Sequence, residues 1–404
     1  MDKDIQSTTL KLLGYCRAND WAGYDPYDAL NSKIVSSLPF LNFRLFRLSL
    51  TQFLKRSPIN LRPLLLVPKT QNPKVIGLFL SAFVNLFRAG VTTGQEYIPH
   101  LAERLIALRS PGPSHLCWGD NFPWQTRTEL VPRWAPSVVN TAFAANGLLD
   151  AFELRQDDRY INMALSAAEY LLNDLYWTSG VSASGFGYPL REVHNQVHNA
   201  NLLGAALFSR VYKHTGQEKF LAPALGVARY TMTRQHADGG WNYGEKSTQN
   251  WIDNFHTAFN LSALHTIGTT LATSEFDEPL SRGLQFYRSH FFLPSGAVRY
   301  FHNRTYSIDA HCVAQSIIAL LDLKDLDSTN VQLARSVFDW ARNHMWNERE
   351  GFFYYRVLRS CTIRTSYMRW TQASMFLALT KLYVESTSPS SDLPHPVSGG
   401  VASC

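Results

Sequence analysis

The chain is poor in cysteine and lacks long apolar runs. Its 404 residues include five scattered cysteines, at positions 16, 117, 312, 361 and 404, and no C-x-x-C pair. We therefore expect neither a disulfide framework nor a structural zinc site, which favours a reducing, cytoplasmic location. The first residues lack the basic and apolar regions of a signal peptide. No window holds about 18 uncharged apolar residues, so no membrane-spanning helix is expected.

Long Gly/Ser-rich or Pro-rich linkers are also missing over residues 1–386. The content of 45% hydrophobic and 13% aromatic residues is ample for a sizeable core. We predict one domain over 1–386 and a disordered tail over 387–404, where Ser, Pro and Gly dominate.

Acidic residues are outnumbered, and the formal net charge is +6. The basic excess gathers over residues 43–69, where Arg and Lys alternate with Leu and Phe. Two interpretations stay open. A helix there could associate peripherally with an anionic inner-membrane surface, or it could be an amphipathic outer helix with solvated cations. Elsewhere Lys and Arg are dispersed, so nucleic acid is not a predicted partner.

What the sequence does contain is a repeat. Apolar runs that open with polar residues recur about 55–60 residues apart, a spacing typical of repeat architectures. The runs are "VVNTAFAANGLLDAFEL", "HNANLLGAALFSRVY", "DNFHTAFNLSALHTI", "DAHCVAQSIIALLDL" and "RWTQASMFLALTKLY", and "VIGLFLSAFVNLFRAG" fits one slot earlier. More amphipathic segments alternate with them, such as "DRYINMALSAAEYLLNDLY".

This alternation predicts six helical hairpins, each with a buried first helix and an outer second helix. The predicted fold is all-α, an (α/α)6 toroid with short β-hairpins in the loops. Helices around residues 10–15 or 43–54 would complete the outer layer. Strand signals are short, as in "GAVRYFHN" and "GFFYYRVL".

All inner helices of a toroid run the same way, so their polar openings should meet around one cavity. Each Asp or Asn among them is also a good N-cap, and capping is the alternative role. Capping does not explain the histidines that follow Asp253 and Asp309. The predicted polar site residues are Asn140, His198, Asn199, Asp253, Asn254, His256, Asp309, His311 and Arg369.

Aromatic residues gather at the loops and at the inner-helix starts. Such rings suit flat amphipathic ligands like sugars, although they could simply plug the loops. We assign Trp118, Trp241, Tyr243 and Tyr306 to the predicted site. The spacings D-x-x-H and D-x-H match no common metal motif, so no metal and no cofactor are predicted.

Several stretches carry a resemblance. "RQHADGGWNYG" is similar to motifs of terpene cyclases and protein prenyltransferases, which implies only the toroid fold. "WAGYDPYDALNS", "CWGDNFPWQTR", "GWNYGEKSTQNWIDNFHTAFNLSAL" and "FFLPSGAVRYFHNRTYSIDAHCVAQSI" together resemble a bacterial family of capsule, exopolysaccharide and lipopolysaccharide loci. Some members carry an aminolevulinate dehydratase label, but no residue here supports that activity.

More distantly, the aspartates that open two inner helices, with "MRWTQASM" near the end, are similar to unsaturated glucuronyl hydrolases. "DNFHT" is similar to the toroid domain of glucuronyl C5-epimerases. These resemblances imply a carbohydrate-active enzyme of surface-polysaccharide production, acting on an anionic, uronate-containing saccharide.

Three hypotheses follow. The first is glycosidic hydrolysis with Asp253 and Asp309 as the carboxylate pair, supported by His256 and His311. The second is elimination or C5-epimerisation of a uronate. It would use His256 or His198 as base, Tyr243 or Tyr306 as donor, and Asn254 or Arg369 as carboxylate clamp. The third is a non-catalytic glycan-binding protein.

Overall fold

The computed structural model describes residues 3–38, 40, 42–91, 94–180 and 183–387. These residues form fourteen α-helices. In chain order they are α1 (Lys3–Ala18), α2 (Lys33–Ser36), α3 (Arg44–Arg56), α4 (Pro73–Arg88), α5 (Tyr97–Ala107), α6 (Val138–Arg155), α7 (Asp158–Tyr170), α8 (His198–Thr215), α9 (Leu221–Met232), α10 (Asn254–Leu271), α11 (Asp277–Phe291), α12 (Ala310–Asp322), α13 (Thr329–Met345) and α14 (Ala373–Thr387).

Six helices form a closed inner ring. Helices α4, α6, α8, α10, α12 and α14 pack each against the next, and α14 packs back against α4. Helices α5, α7, α9, α11 and α13 each pack outside the inner helix that precedes them, and α1 packs outside α14. The structure thus confirms the predicted (α/α)6 toroid.

The outer layer is completed from the N-terminus. Helix α1 provides the sixth outer helix, as one of the two predicted possibilities. Helix α3 does not, because it packs on the 3-10 turn Asp28–Asn31 and on the first short strand instead. Of the two alternatives, residues 10–15 therefore lie in the helix that completes the ring, and residues 43–54 do not.

Four inner helices, α4, α6, α10 and α12, begin with a side-chain cap that fixes where the helix starts. Asn72 accepts from the backbone N–H of Lys74, and Ser137 accepts from Val139. The carboxylates that precede α10 and α12 cap those helices in the same way. Each cap satisfies a backbone donor that has no partner inside its helix. Because outer helices return the chain between them, all these starts lie at one end of the ring.

Two inner helices touch backbone to backbone. A Cβ atom built on Gly77 of α4 would lie 2.5 Å from the carbonyl oxygen of Phe143 in α6, and one on Gly147 would lie 2.6 Å from the oxygen of Gly77. Only glycine permits this approach, which lets the backbones of α4 and α6 come into contact.

The strands are short and lie in loops, as predicted. They are β1 (Trp124–Gln125), β2 (Leu130–Val131), β3 (Tyr176–Ser179), β4 (Ala183–Phe186), β5 (Ile308–Asp309), β6 (Trp346–Asn347), β7 (Phe352–Phe353), β8 (Arg356–Val357) and β9 (Thr362–Ile363). All pair antiparallel, β8 between β5 and β9 and the others as hairpins. "GFFYYRVL" contains β7 and β8, whereas "GAVRYFHN" forms only isolated bridges.

None of the described helices is long and apolar enough to cross a bilayer. Of the predicted tail, Thr387 ends α14, and 388–404 lie outside the described residues.

Candidate active site

A cavity of about 610 Å³ opens at the end of the ring where the inner helices begin. This volume is typical of a small-molecule site. The structure brings together five sequence-predicted residues from five inner-helix openings. Lining residues include Asn140 of α6, Asn199 of α8, His256 of α10, His311 of α12 and Arg369 of the π-helical turn Met368–Gln372 that leads into α14.

Asp253 and His256 form a carboxylate–imidazole pair in the cavity wall. Asp253 Oδ1 accepts from the backbone N–H of His256 at 3.0 Å, and its Oδ2 lies 2.7 Å from His256 Nδ1. The Trp251 indole N–H donates to the same Oδ2 at 3.0 Å. Since an ionised carboxylate only accepts, Nδ1 carries the proton and Nε2 has the lone pair. His256 Nε2 has no hydrogen-bond partner among the described residues, so it is available to a substrate.

Asp309 does not line the cavity with Asp253. Its side chain is fully buried, and its Oδ1 accepts from the backbone N–H of His311 and from the Trp370 indole, each at 2.9 Å. Its Oδ2 accepts from Arg356 at 2.9 and 2.5 Å, across the β5–β8 pairing. Every oxygen is thus satisfied by protein, so Asp309 is placed as a helix cap and ion-pair partner and not as half of a catalytic pair.

His311 presents a second imidazole to the cavity. Its Nδ1 lies 2.9 Å from the backbone carbonyl of Trp370, so Nδ1–H donates and Nε2 accepts. The ring stacks on the Trp370 indole with centroids 4.6 Å apart. Burial first, and then the nearby Lys74 cation, lower the pKa of His311 well below its usual value. The imidazole is therefore neutral near pH 7.

Lys74 is a cavity residue that the sequence reasoning missed. Its Nζ lies 4.1 Å from the centre of the Phe143 ring and 5.2 Å from that of Phe259. Burial, followed by repulsion from Arg369, lowers the pKa of Lys74 to about 7. The available signal was its position just inside the opening of the first inner helix, "NPKVIGLFL", which matches the other polar openings.

Arg369 is held in place by a carboxylate behind it. Its Nε and Nη2 donate to the two oxygens of Asp25 at 2.6 and 2.8 Å, and Asp120 Oδ1 lies 4.0 Å from Nε. A bidentate pair of this kind fixes the plane of the guanidinium. Arg369 therefore faces the cavity as a pre-oriented cation.

Asn140 and Asn199 are not N-caps. The residues that precede α6 and α8 are Ser137 and Val197, and both asparagines lie inside the first helical turn. Their Oδ1 atoms are buried without a hydrogen-bond partner in the described structure. A buried unpaired acceptor is costly, and ligand hydroxyl groups would satisfy these two.

The cavity carries an excess of positive charge. Its cationic side chains are Lys55, Lys74, Arg127, Lys246, Arg304 and Arg369, and its carboxylates are Asp120 and Asp253. Asp25 behind the wall pairs with Arg369, and Lys74 is only partly charged near pH 7, yet basic lining residues still outnumber carboxylates. A concave site of this kind attracts an anionic ligand. The N-terminal ends of the inner helices add partial positive charge in the same direction.

Aromatic rings provide flat faces on the same walls. Tyr243 stacks on Trp251 with centroids 4.7 Å apart and an interplanar angle of 12°. Burial raises the pKa of Tyr243 well above its usual value, so its hydroxyl stays protonated. Arg127 lies over the outer part of this group, 5.1 Å from the Trp251 ring centre.

Besides Asp309, five predicted site residues lie away from the cavity. Trp118 and Trp241 are core residues whose indoles donate to the carbonyls of Leu105 and Thr231. Tyr306 is exposed on a loop, and its prediction as a cavity residue was wrong.

The other two are polar and buried. Asn254 Oδ1 accepts from the hydroxyls of Tyr287 and Ser316. His198 is 2% exposed at the start of α8, where burial lowers its pKa to about 4. Neither side chain lines the cavity. Within the described residues, no group of three or more His, Cys, Asp and Glu is arranged to hold a metal.

Comparisons by sequence identify no related protein. No protein-family model matches the chain, and no curated protein matches it in sequence. The surface-polysaccharide family and the aminolevulinate dehydratase label therefore gain no support.

Solved structures do match. An unsaturated glucuronyl hydrolase of a Bacillus species aligns with 13% identity, 94% of this chain, 96% of that chain and a TM-score of 0.58. A cellobiose 2-epimerase of Bacillus thermoamylovorans aligns with 10% identity, 79% and 90% coverage and a TM-score of 0.60. A family 76 α-mannanase of Bacteroides thetaiotaomicron aligns with 11% identity, 78% and 87% coverage and a TM-score of 0.59. At these low identities, the structural alignments show that the chain shares the α/α-toroid fold with these proteins.

Proposed function

We propose that this protein is a carbohydrate-active enzyme that moves a proton at carbon in an acidic sugar, as a uronate C5-epimerase or lyase. The observation that carries the proposal is the Asp253–His256 pair in a cavity rich in basic residues. Nε2 of this imidazole has no hydrogen-bond partner among the residues that the structure describes. The sugar-converting activities named for the aligned structures support a saccharide substrate. A role in surface-polysaccharide production and a cytoplasmic location remain predictions from the sequence.

The chemistry requires a base, a proton donor and a neutralised carboxylate. Arg369 would bind the uronate carboxylate, which makes the adjacent C5–H bond more acidic. His256 Nε2 would take that proton, and Asp253 would stabilise the resulting imidazolium through Nδ1–H, as in carboxylate–histidine pairs generally. The electron pair of the C5–H bond would pass into the carboxylate.

Two outcomes are then open to the same intermediate. Return of a proton to the opposite face of C5 gives the epimer. Formation of a C4=C5 double bond with loss of the C4 oxygen substituent gives an unsaturated sugar, and the departing oxygen takes a proton. Tyr243, whose phenol stays protonated, would supply the proton in either case. The neutral His311 is a second acceptor on the cavity wall.

The geometry supports one group for each role considered from the sequence. Each role had two candidates, and only one of each pair lines the cavity. His256 is favoured over His198 as base, and Tyr243 over Tyr306 as donor. Arg369 is favoured over Asn254 as the clamp for the carboxylate.

Glycosidic hydrolysis is the second candidate, with a changed carboxylate pair. The alignment with the glucuronyl hydrolase spans nearly the whole of both chains, and Asp120 lines the cavity together with Asp253. Asp120 Oδ1 accepts from Asn72 at 2.9 Å, which holds its carboxylate in place. In this case Asp120 would take the role first assigned to Asp309.

One assay separates these reactions. Uronate-containing oligosaccharides are incubated with the enzyme in deuterated water and analysed by mass spectrometry, ultraviolet absorbance and reducing-end release. Epimerisation incorporates deuterium at C5, elimination creates an absorbing double bond, and hydrolysis does neither while releasing new reducing ends. Deuterium or a double bond that disappears in His256→Asn supports the proposal.

New reducing ends without either signal would overturn proton transfer at carbon. If that release also depends on Asp120, hydrolysis is the function. A chain that binds these oligosaccharides but converts none of them would be a glycan-binding protein.

A further inference from the structure

Exposed apolar side chains are concentrated in one part of the chain. Of the thirteen large apolar side chains classed as exposed in the described structure, eight lie between residues 34 and 66. They are Ile34, Phe40, Phe43, Leu45, Phe53, Ile59, Leu64 and Leu66, and several are more than half exposed. We call this set, with the cations around it, the apolar–basic face.

Helix α3 exposes large apolar side chains to water and buries its lysine, which is unusual for a surface helix. Its buried residues are Thr51, Leu54 and Lys55, whereas Leu45, Phe53 and Arg56 are exposed. At 100° per residue these exposed positions fall within one quarter of the helix circumference, so they form one outward stripe. A helix that merely covers the protein would bury Leu and Phe and expose its lysine.

The pieces of the face are tied to one another. Ser32 Oγ donates to the carbonyl of Leu65 at 2.5 Å, and the backbone N–H of Lys33 donates to that of Leu66. The buried Arg62 donates to Asp28 Oδ1 at 2.6 Å and to the Tyr367 hydroxyl at 2.7 Å. The exposed apolar groups are therefore mounted on a fixed support.

The charged residues of the segment that forms the face have one sign. No Asp or Glu occurs in the sequence between Asp28 and Glu96. The exposed cations of the segment are Lys33, Arg44, Arg56 and Lys69. Lys33 and Arg56 make no ion pair within the described part of the chain, so nothing there neutralises them.

The face adjoins the cavity. Gln52 and Lys55 of α3 line the cavity wall, and Arg44 donates to the backbone carbonyl of Arg127, another lining residue. Arg47 donates to Gln125 of β1 at 2.7 Å. A surface that covered the apolar–basic face would thus lie beside the cavity mouth.

We propose that the apolar–basic face docks the protein on an anionic lipid bilayer. Apolar side chains that enter the headgroup region, ringed by cations, are the combination that binds peripheral proteins to such membranes. A protein partner is less well matched, because the segment that forms the face contributes cations but no acidic group to pair with a mixed-charge surface. This proposal does not depend on which reaction the cavity performs.

Sedimentation with lipid vesicles tests the proposal. The full chain is mixed with vesicles of phosphatidylcholine alone or with about one third phosphatidylglycerol, at low and high salt. We expect binding to the anionic vesicles, weakened by salt. Leu45→Glu/Phe53→Glu should lower the partition coefficient at least tenfold, and Arg56→Glu should lower it by about fivefold or more.

The control is Leu326→Glu, an exposed apolar residue of the α12–α13 turn, on the far side of the ring from the cavity. It should bind vesicles as the unmodified chain does. Because Leu45 and Phe53 are well exposed, their variants should melt at an unchanged temperature. Absence of binding to anionic vesicles, equal binding to neutral ones, or full binding by the double variant would each overturn the proposal. So would a change of oligomeric state in the double variant without any change in vesicle binding.

Discussion

Oδ2 of Asp253 lies 2.7 Å from Nδ1 of His256 and also accepts from the Trp251 indole, while Oδ1 of the same carboxylate caps α10. One carboxylate therefore sets both the start of the helix and the tautomer of the imidazole that the helix carries. A cap and a catalytic orienting group are the same residue here. The alternatives that the sequence left open, capping or chemistry, are not exclusive for Asp253.

Asp253→Asn should separate the two roles. Asparagine is an equally good N-cap, so α10 should stay capped. The melting temperature should fall only by the loss of the hydrogen bond from the Trp251 indole. The amide nitrogen of the asparagine would donate toward Nδ1, which moves the imidazole proton to Nε2 and removes the base. We expect kcat on a uronate substrate to fall by about 100-fold or more, as expected for loss of general base catalysis.

His256→Asn serves as the reference for complete loss of the base. The kcat values of His256→Asn and Asp253→Asn should differ by no more than about tenfold, since both changes remove the same base. Full activity of Asp253→Asn would contradict the assigned orientation of His256.

Asp309→Asn should behave differently, although its sequence context looks alike. Asp309 is paired with Arg356, whose side chain is only 12% exposed. Removing one charge from a buried pair leaves the other uncompensated, which typically costs about 3–5 kcal/mol. We expect a clear loss in the free energy of unfolding, measured by denaturant titration.

The activity of the folded fraction gives the complementary reading. Because Asp309 does not line the cavity, kcat per folded molecule should stay within a few-fold of the unmodified enzyme. A stable Asp309→Asn variant without activity would restore Asp309 to the catalytic pair.

The ring could be predicted from the sequence because each inner helix repeats one pattern, polar opening and then small apolar residues. The shared opening also predicted that Asn140, Asn199 and His256 converge. What the repeat could not reveal is which oxygens are satisfied by other parts of the chain. Arg356 reaches Asp309 only because β8 pairs with β5, a contact between residues 47 positions apart.

Tyr243 lines the cavity as predicted, but the assignments of Trp118, Trp241 and Tyr306 failed for a similar reason. Trp118 and Trp370 both follow polar loops. The Trp118 indole donates to the carbonyl of Leu105 in the outer helix α5, so its ring packs in the core. The Trp370 indole instead donates to Asp309 while its ring faces His311 at the cavity. Local sequence does not state on which side of a loop a ring will pack. Lys74 was overlooked because a single lysine at the start of an apolar helix is usually exposed to solvent.

Anion binding should weaken as the pH rises through about 7. The pKa of Lys74 is lowered to about 7, so the free protein loses this cation above that pH. A bound carboxylate favours the ammonium form, so binding and protonation of Lys74 assist each other. Affinity for a uronate oligosaccharide, measured by calorimetry, should be about tenfold higher at pH 6 than at pH 8 if binding requires the charge.

Lys74→Met tests the assignment, because it keeps the length of the side chain and removes the titrating group. This variant should bind weakly at both values of pH, with the dependence between them abolished. An unchanged pH dependence in Lys74→Met would assign the effect to another group.

Glycine-to-alanine changes should have opposite effects at the α4–α6 contact and at an exposed position of α1. At Gly77 the new methyl group would lie 2.5 Å from the Phe143 carbonyl oxygen, a backbone atom that cannot move without shifting α6. Overpacking of this kind costs about 1–3 kcal/mol or more, against a gain of about 1 kcal/mol from helix propensity. At Gly14, in the exposed part of α1, a methyl group meets nothing within 4 Å. Gly14→Ala should therefore raise the melting temperature and Gly77→Ala should lower it. Equal stabilisation by both changes would show that α4 and α6 do not pack at this distance. The arrangement of the first two inner helices would then be incorrect.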